Sequence, residues 1–349
     1  MLSSDFQNEV IRRYKLQKEY LGNDKSVNLL NPLVSVCIQT YNHEKYIKEC
    51  LDSILLQKTN FDFEIILGED DSNDATRQIC IDYANKHKNK IRLFLRDRET
   101  TQLKDKNGTL LRRLNGIFTR MTAKGKYIAL CEGDDYWTDP LKLQKQVDFM
   151  ENNKDYSACF TNATIVNELD KTTRLFVNYI KEGNVSLFDI ILRGGGIYPT
   201  ASIVYRSLVN DNQRFIQIPE LAGDTLLIIN AALLGKIFFI DNNTNVYRQW
   251  SGGVYSGIMN DKSKLIDLWI NNIVGYKKLN SATKYKYSKP IKVKLSKLSL
   301  NVLSIKINPK TTHLFQHLSF KDCIHLFALR IKYLLFKLYK KLLSTPQKF

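Results

Sequence analysis

The feature that most constrains this chain is the alternation, through its first half, of short apolar runs with segments of helical period. Residues 33–38, 63–67, 91–95 and 126–131 are rich in Val, Ile and Leu, as strands buried on both faces are. Between them, residues 43–57 carry Ile47, Leu51, Ile54 and Leu55 at helical spacing, residues 75–88 carry Ile79, Ile81 and Tyr83, and a third helix is predicted over 110–123. Strands and helices alternating at this length predict an α/β domain with a mostly parallel central sheet and flanking helices. Ligands of such open sheets lie beyond the carboxyl ends of the strands.

Polar clusters fall at three of those ends: Thr40-Tyr41-Asn42, Glu69-Asp70 and Glu132-Gly133-Asp134-Asp135. The topology predicts that these segments, remote in sequence, converge on one crevice. The last cluster sets three carboxylates in four residues. Adjacent carboxylates repel one another, and a divalent cation relieves that repulsion. Oxygen-only ligands suit Mg²⁺ or Mn²⁺, ions that also bind substrate phosphates. Asp139-Pro140, just beyond, has the form of a helix N-cap followed by proline in the first turn.

The second half is more mixed. Strands are predicted over 156–166, 203–205 and 236–240, a short helix over 186–192, and a turn at Gly194-Gly195-Gly196. A helix over 225–234 has Asp224 at its start, where the helix dipole favours an anion.

No apolar run approaches the length of a bilayer span. The first thirty residues mix acids and bases without an apolar core, so they predict a short amphipathic helix and not a secretory signal. Six cysteines are scattered with no Cys-x-x-Cys pair, a pattern of reduced core thiols that points to the cytoplasm. The net charge of +17 is unevenly placed: from Tyr276 onward, 17 Lys and Arg face one acid, Asp322. Over 320–343, Ile324, Phe327, Ile331, Leu334, Leu335, Leu338 and Leu342 recur at helical spacing beside Arg330, Lys337, Lys340 and Lys341. Such a helix suits peripheral contact with an anionic membrane face; the alternative is a helix packed on the body with a solvated basic face. No nucleic-acid motif accompanies the charge, and no nucleic-acid partner is expected. The expected division is a helical segment over 1–30, a catalytic domain over 31–260 and a basic helical C-terminal extension over 261–349.

From about residue 32 to 257 the chain resembles a family 2 glycosyltransferase of the GT-A fold, of the kind that builds bacterial surface polysaccharides. Four motifs in order carry the resemblance: residues 34–42 for the opening strand, Glu69-Asp70-Asp71-Ser72-Asn73-Asp74 for the nucleotide-base loop, Glu132-Gly133-Asp134-Asp135 for the acidic metal motif, and Gly223-Asp224 for the catalytic base. The resemblance implies that Thr40, Tyr41 and Asn42 line the nucleotide pocket, with Tyr41 near the base. It places Glu69 and Asp70 in the base loop, Asp70 accepting from a uracil or thymine imide. It puts Glu132 at the ribose or in support of its loop, Asp134 or Asp135 on Mn²⁺ or Mg²⁺, Arg248 near the diphosphate, and Asp224 at the acceptor hydroxyl as base.

The implied activity is inverting transfer of a sugar from a nucleotide-diphosphate donor, a UDP-sugar above others, to a hydroxyl of a glycan or lipid-linked acceptor at the inner face of the cell membrane. The alternatives are a catalytically silent scaffold of the same fold and a sugar nucleotidyltransferase. The latter usually needs a glycine-rich loop after the first strand, and residues 39–44 contain no glycine. Two positions depart from the family pattern: Trp250 stands where a metal-approaching histidine is common, and Asp71 adds a charge to the base loop.

Overall fold

The apolar runs become the strands β1 (Val34–Thr40), β2 (Phe63–Glu69) and β3 (Ile91–Leu95) of one large sheet, in a computed structural model that describes residues 3–22, 25–104, 108, 110–210 and 218–304. A hairpin, β4 (Gln102–Lys104) with β5 (Leu110–Arg113), leads by a helix at Asn115–Thr122 to β6 (Tyr127–Glu132). Then follow β7 (Tyr136–Trp137), β8 (Tyr156–Asn167), β9 (Thr173–Leu175), β10 (Gly183–Val185), β11 (Val204–Arg206) and β12 (Lys236–Gln249). The sheet order is β10-β12-β8-β11-β6-β1-β2-β3, with β7 pairing β12 and β9 pairing β8.

The long ladders are parallel: β1 with β2, β1 with β6, β2 with β3, and β12 with β8. Short β11 runs antiparallel between β6 and β8. β1, β2, β6 and β12 therefore all end on one side of the sheet. β1 is buried at six of its seven positions and β2 at all seven, which explains why their sequences show apolar runs and not alternation. The helix Ile47–Leu55 buries Ile47, Leu51 and Ile54 in the same core, each worth about 1.5–3 kcal/mol.

The expected helix over 110–123 is a correction: it begins only at Asn115, because residues 110–113 pair with 102–104 as a hairpin. The strand expected over 236–240 continues to Gln249, with register shifts between Ile240 and Asn245 that re-aim its second half along β8. Asp139 does cap its turn, accepting from the Leu141 N–H at 2.9 Å, though the helix proper starts at Lys142.

The first helix, Ser3–Tyr14, puts Phe6 and Val10 in a small cluster with Leu103, Leu114 and Phe118. At the amino end of the sheet a buried ionic chain ties the amino-terminal segment to the core. Lys25 pairs with Glu19 at 2.7 Å, Glu19 with Arg92 at 2.9 Å and Arg92 with Glu64 at 3.2 Å, and Glu64 accepts from the Ser35 hydroxyl at 2.6 Å.

The described residues form two compact units that divide at Trp250/Ser251. The second unit holds helices at Val254–Met259, Lys262–Ala282 and Ser288–Ser304, the last two packed together. The amphipathic helix expected over 320–343 lies outside the described residues. No described helix is long and apolar enough to cross a membrane. Cys37, Cys50, Cys80, Cys131 and Cys159 are all buried and free.

Candidate functional site

The loops after β1 and β2 are knitted together. Asn42 and Asp71 hold left-handed backbone, φ 54° and 63°, conformations that Asn and Asp tolerate better than other side chains. This gives Asp71 a structural reason, and its side chain lies 3.5 Å from Arg77. Asn42 N–H donates to Ser72 Oγ, Asn73 N–H to Asn42 Oδ1, and His43 N–H to Thr76 Oγ1, at 2.8–3.0 Å. Glu69 is fully buried, and each of its oxygens is used within its loop: Ser72 N–H donates to one at 2.7 Å and Arg77 Nε to the other at 2.5 Å. Its side chain locks the loop.

Asp70 is 4% exposed. Its N–H donates to the Thr40 carbonyl at 3.0 Å, and Thr101 Oγ1 donates to its Oδ1 at 2.5 Å. Burial raises its pKa, against the Thr101 bond and the charges of Arg98 and Arg96. The Arg98 guanidinium lies 3.6 Å from the Tyr41 ring centroid, with its Nη1 buried and unpartnered. Nothing in the sequence singled out Arg98, which opens a four-residue helix, Arg98–Thr101, capped by Asp97.

The acidic loop is pinned on both sides, by β6 before it and by β7 pairing with β12 after it. Gly133 is obligatory there: a Cβ would come within 2.6 Å of Thr40 Oγ1 and 2.8 Å of His43 Nδ1. The loop's three acids have different surroundings. Glu132 has one buried oxygen, Oε2, without a hydrogen-bond partner, and burial together with the charges of Asp134 and Asp224 pushes its pKa up to about 8. Asp134 is 19% exposed; its Oδ2 accepts from the Trp250 indole Nε1 at 3.0 Å and lies 3.8 Å from His43 Nε2. Burial lowers the His43 pKa below its ordinary value, against the charges of Asp134 and Asp74. Asp135 is 2% exposed and turned inward, its Oδ1 accepting from the Arg248 N–H at 2.9 Å.

Arg248 is held by protein groups. Its Nη1 donates to the Asp134 carbonyl at 2.6 Å, Nη2 pairs with Glu49, Nε lies 3.8 Å from Glu168, and the guanidinium sits over the Tyr46 and Tyr136 rings. Only 8% of its side chain is exposed. Arg248 thus grips the acidic loop beside Asp134, the position expected near the diphosphate from the sequence. Trp250 packs on Tyr46 and His43, ring centroids 5.1 and 6.0 Å away.

Asp224 lies in the first turn of the helix Gly223–Leu234. Thr225 N–H donates to its Oδ1 at 2.6 Å, and the Tyr198 hydroxyl donates to its carbonyl at 3.0 Å. Its carboxylate rests on the Cα of Gly195, where any Cβ would overlap it. The expected glycine turn is a short 3₁₀ helix, Gly194–Ile197, and serves as this seat. Burial raises the Asp224 pKa, opposed by the Thr225 bonds and by Arg112. Arg112, on β5, donates to the Leu221 carbonyl at 2.6 Å and keeps a buried Nε without a partner. Sequence reasoning missed it because that stretch read as helical.

Glu132 feels both Asp134 and Asp224, and His43 links the β1 loop to Asp134. The loops after β1, β2 and β6 are thus joined through Thr40, Asp70, His43 and Asp134, and Asp224 at a helix start acts on Glu132 beside them. Among the described residues no three His, Cys, Asp or Glu close around a point by themselves. The oxygen donors of Asp134, with the unpartnered oxygen of Glu132 nearby, fit a hard divalent ion that uses one or two carboxylates and takes its other oxygens from water and phosphate.

Residues 35–197 match the family model described as glycosyl transferase family 2. An uncharacterized protein of Mycobacterium tuberculosis is 30% identical over 233 residues, 66% of this chain and 63% of its own length; the match thus spans less than two thirds of that relative. Glycosyltransferase GlyG of Streptococcus pneumoniae is 27% identical over 239 residues, 64% of this chain and 73% of its own. Putative glycosyltransferase EpsE of Bacillus subtilis is 35% identical over 137 residues, 39% and 45% of the two chains. Among solved structures, S. aureus TarS 1–349 in complex with UDP-GlcNAc superposes with a TM-score of 0.56 at 19% identity, covering 85% of this chain and 79% of that one. The fold is GT-A, a mixed α/β architecture around a mostly parallel sheet. The GT-A fold and the match over residues 35–197 thus make this chain similar, through that segment, to glycosyl transferase family 2.

Proposed function

We propose that this protein is an inverting glycosyltransferase that moves a sugar from a UDP-sugar to a hydroxyl of a glycan or lipid-linked acceptor in cell-surface polysaccharide synthesis. The observation that carries the reading is the buried carboxyl of Glu132, which has an unpartnered oxygen and interacts electrostatically with both Asp134 and Asp224. A donor diphosphate on the Asp134 side and an acceptor hydroxyl on the Asp224 side would share one anomeric carbon.

Each residue has a part. Asp70, oriented by Thr101, accepts from the imide N–H of the base, and Tyr41, stacked by Arg98, forms the pocket wall. Thr40 and Asn42 shape the loop that faces the nucleotide. Asp134 is the metal-facing carboxylate, and inward-turned Asp135 holds the loop through Arg248. A bound Mn²⁺ or Mg²⁺ stabilises charge on the departing diphosphate without a proton donor; at 4 Å and an effective dielectric near 20, each unit charge pair is worth about 4 kcal/mol.

Asp224 takes the acceptor proton as the acceptor oxygen bonds to the anomeric carbon and the carbon–diphosphate bond breaks. Such a base contributes about 10²–10⁴ in rate. One base and no enzyme nucleophile give a single displacement with inversion.

Hydrolysis and transfer assays on a panel of nucleotide sugars test this. A UDP-sugar should be consumed, and Asp224→Asn should lose turnover while retaining UDP binding. Wild-type turnover in Asp224→Asn would remove the base assignment, and no metal-dependent nucleotide binding would favour the silent scaffold.

A further inference from the structure

The second unit has a surface that the sugar-transfer chemistry does not use. From Leu268 to Ser304 the chain has no acidic residue, and between Lys284 and Lys297 it has six lysines. The helices Lys262–Ala282 and Ser288–Ser304 pack together, Lys294 lying over the Tyr276 ring at 5.3 Å. The outer face of the second helix is therefore defined. Lys289, Lys292, Val293, Ser296, Lys297 and Leu300 are all exposed. Their spacing follows i, i+3, i+4, i+7, i+8, i+11, which is one stripe of an α-helix. The preceding turn adds exposed Lys284, Tyr285 and Lys286, and Tyr285 is 65% exposed. Val293 and Leu300 are each 39% exposed on the same stripe.

We propose that this stripe is a docking surface for the anionic face of a lipid bilayer. Lysine ammoniums are drawn to anionic headgroups, and the interleaved Tyr285, Val293 and Leu300 have apolar bodies to bury at the headgroup–acyl boundary. Along this stretch of sequence no carboxylate offsets the lysine charge. A nucleic-acid surface is the less fitting partner: it would favour arginine forks and stacked aromatics, and residues 249–304 contain no arginine. The inference goes beyond the transfer chemistry and does not depend on it.

The test is co-sedimentation of the full chain with vesicles of phosphatidylcholine alone and of phosphatidylcholine mixed with phosphatidylglycerol. The wild type should bind the mixed vesicles, lose binding as salt is raised, and ignore the neutral ones. The combined variant Lys289→Gln, Lys292→Gln, Lys297→Gln should lose about fivefold per lysine, or about a hundredfold in all. Val293→Ser with Leu300→Ser should weaken binding that survives moderate salt. A control variant of Lys86→Gln and Lys88→Gln, exposed lysines of the first unit, should bind as the wild type does. Helical circular dichroism and UDP affinity should be unchanged in every variant, which separates this proposal from failure of the catalytic reading. Equal binding by the triple variant and the wild type, equal binding to both vesicle types, or lysine-dependent binding to a single-stranded oligonucleotide without vesicle binding would overturn it.

Discussion

Trp250 donates its indole N–H to the carboxylate of Asp134 across 3.0 Å, while its ring packs on His43 and Tyr46. Trp250 is thus tied to the carboxylate proposed to face the donor diphosphate. The bond fixes one oxygen of Asp134, and such charged hydrogen bonds are worth about 1.5–3 kcal/mol. Trp250→Phe keeps the packing and removes the donor. It should weaken Mn²⁺-dependent UDP binding about tenfold or more by calorimetry, and unchanged affinity would show that the bond does not position Asp134.

Gly195 and Asp224 make a second close relationship. A methyl at residue 195 would occupy the space of the Asp224 carboxylate, so Gly195→Ala should displace the carboxylate with little effect on the nucleotide side. A displacement near 1 Å can cost about 10² in rate. Transfer should fall by about that factor while UDP affinity stays the same; a parallel loss of both would place Gly195 in general folding.

The fold was legible where the sequence had one strong period. β1, β2, β3 and β6 announced themselves because burial on both faces requires continuous apolar runs. The β4–β5 hairpin did not, because its residues are mostly exposed and carry no continuous apolar run. In the site, Asp70, Asp134 and Asp224 were legible as acids at strand or helix ends. The division of labour among the acids was not. That Asp135 and Glu69 turn inward depends on Arg248 and Arg77, partners 113 and 8 residues away.

The ionic chain at the amino end of the sheet should dominate local stability. Arg92 is 8% exposed and pairs with Glu19 and Glu64, and Glu64 is fully buried. Arg92→Met would leave buried Glu64 without its cation and Glu19 with Lys25 alone. The expected cost is about 3–5 kcal/mol in urea unfolding. A loss within experimental error would mean that Lys25 and water compensate.

Glu132 makes stability depend on pH. Its folded pKa near 8 lies above the ordinary 4.5 of an unfolded chain, so in the intervening range the folded state holds a proton that the unfolded state has released. Its contribution is full below about pH 4.5 and is lost as pH rises through about 8. In metal-free buffer, Glu132→Gln should therefore flatten the fall in Tm between pH 5 and pH 8. Identical Tm profiles for variant and wild type would contradict the buried position of this carboxyl.

The central claim, that acids from separate strand ends form one cation-dependent nucleotide site, is tested most directly by calorimetry of UDP with and without Mn²⁺ on the wild type and Asp134→Asn. The account predicts heat of binding in the wild type only when Mn²⁺ is present, and its loss in the variant. Equal UDP affinity in chelator, or an undiminished Mn²⁺ effect in Asp134→Asn, would contradict it.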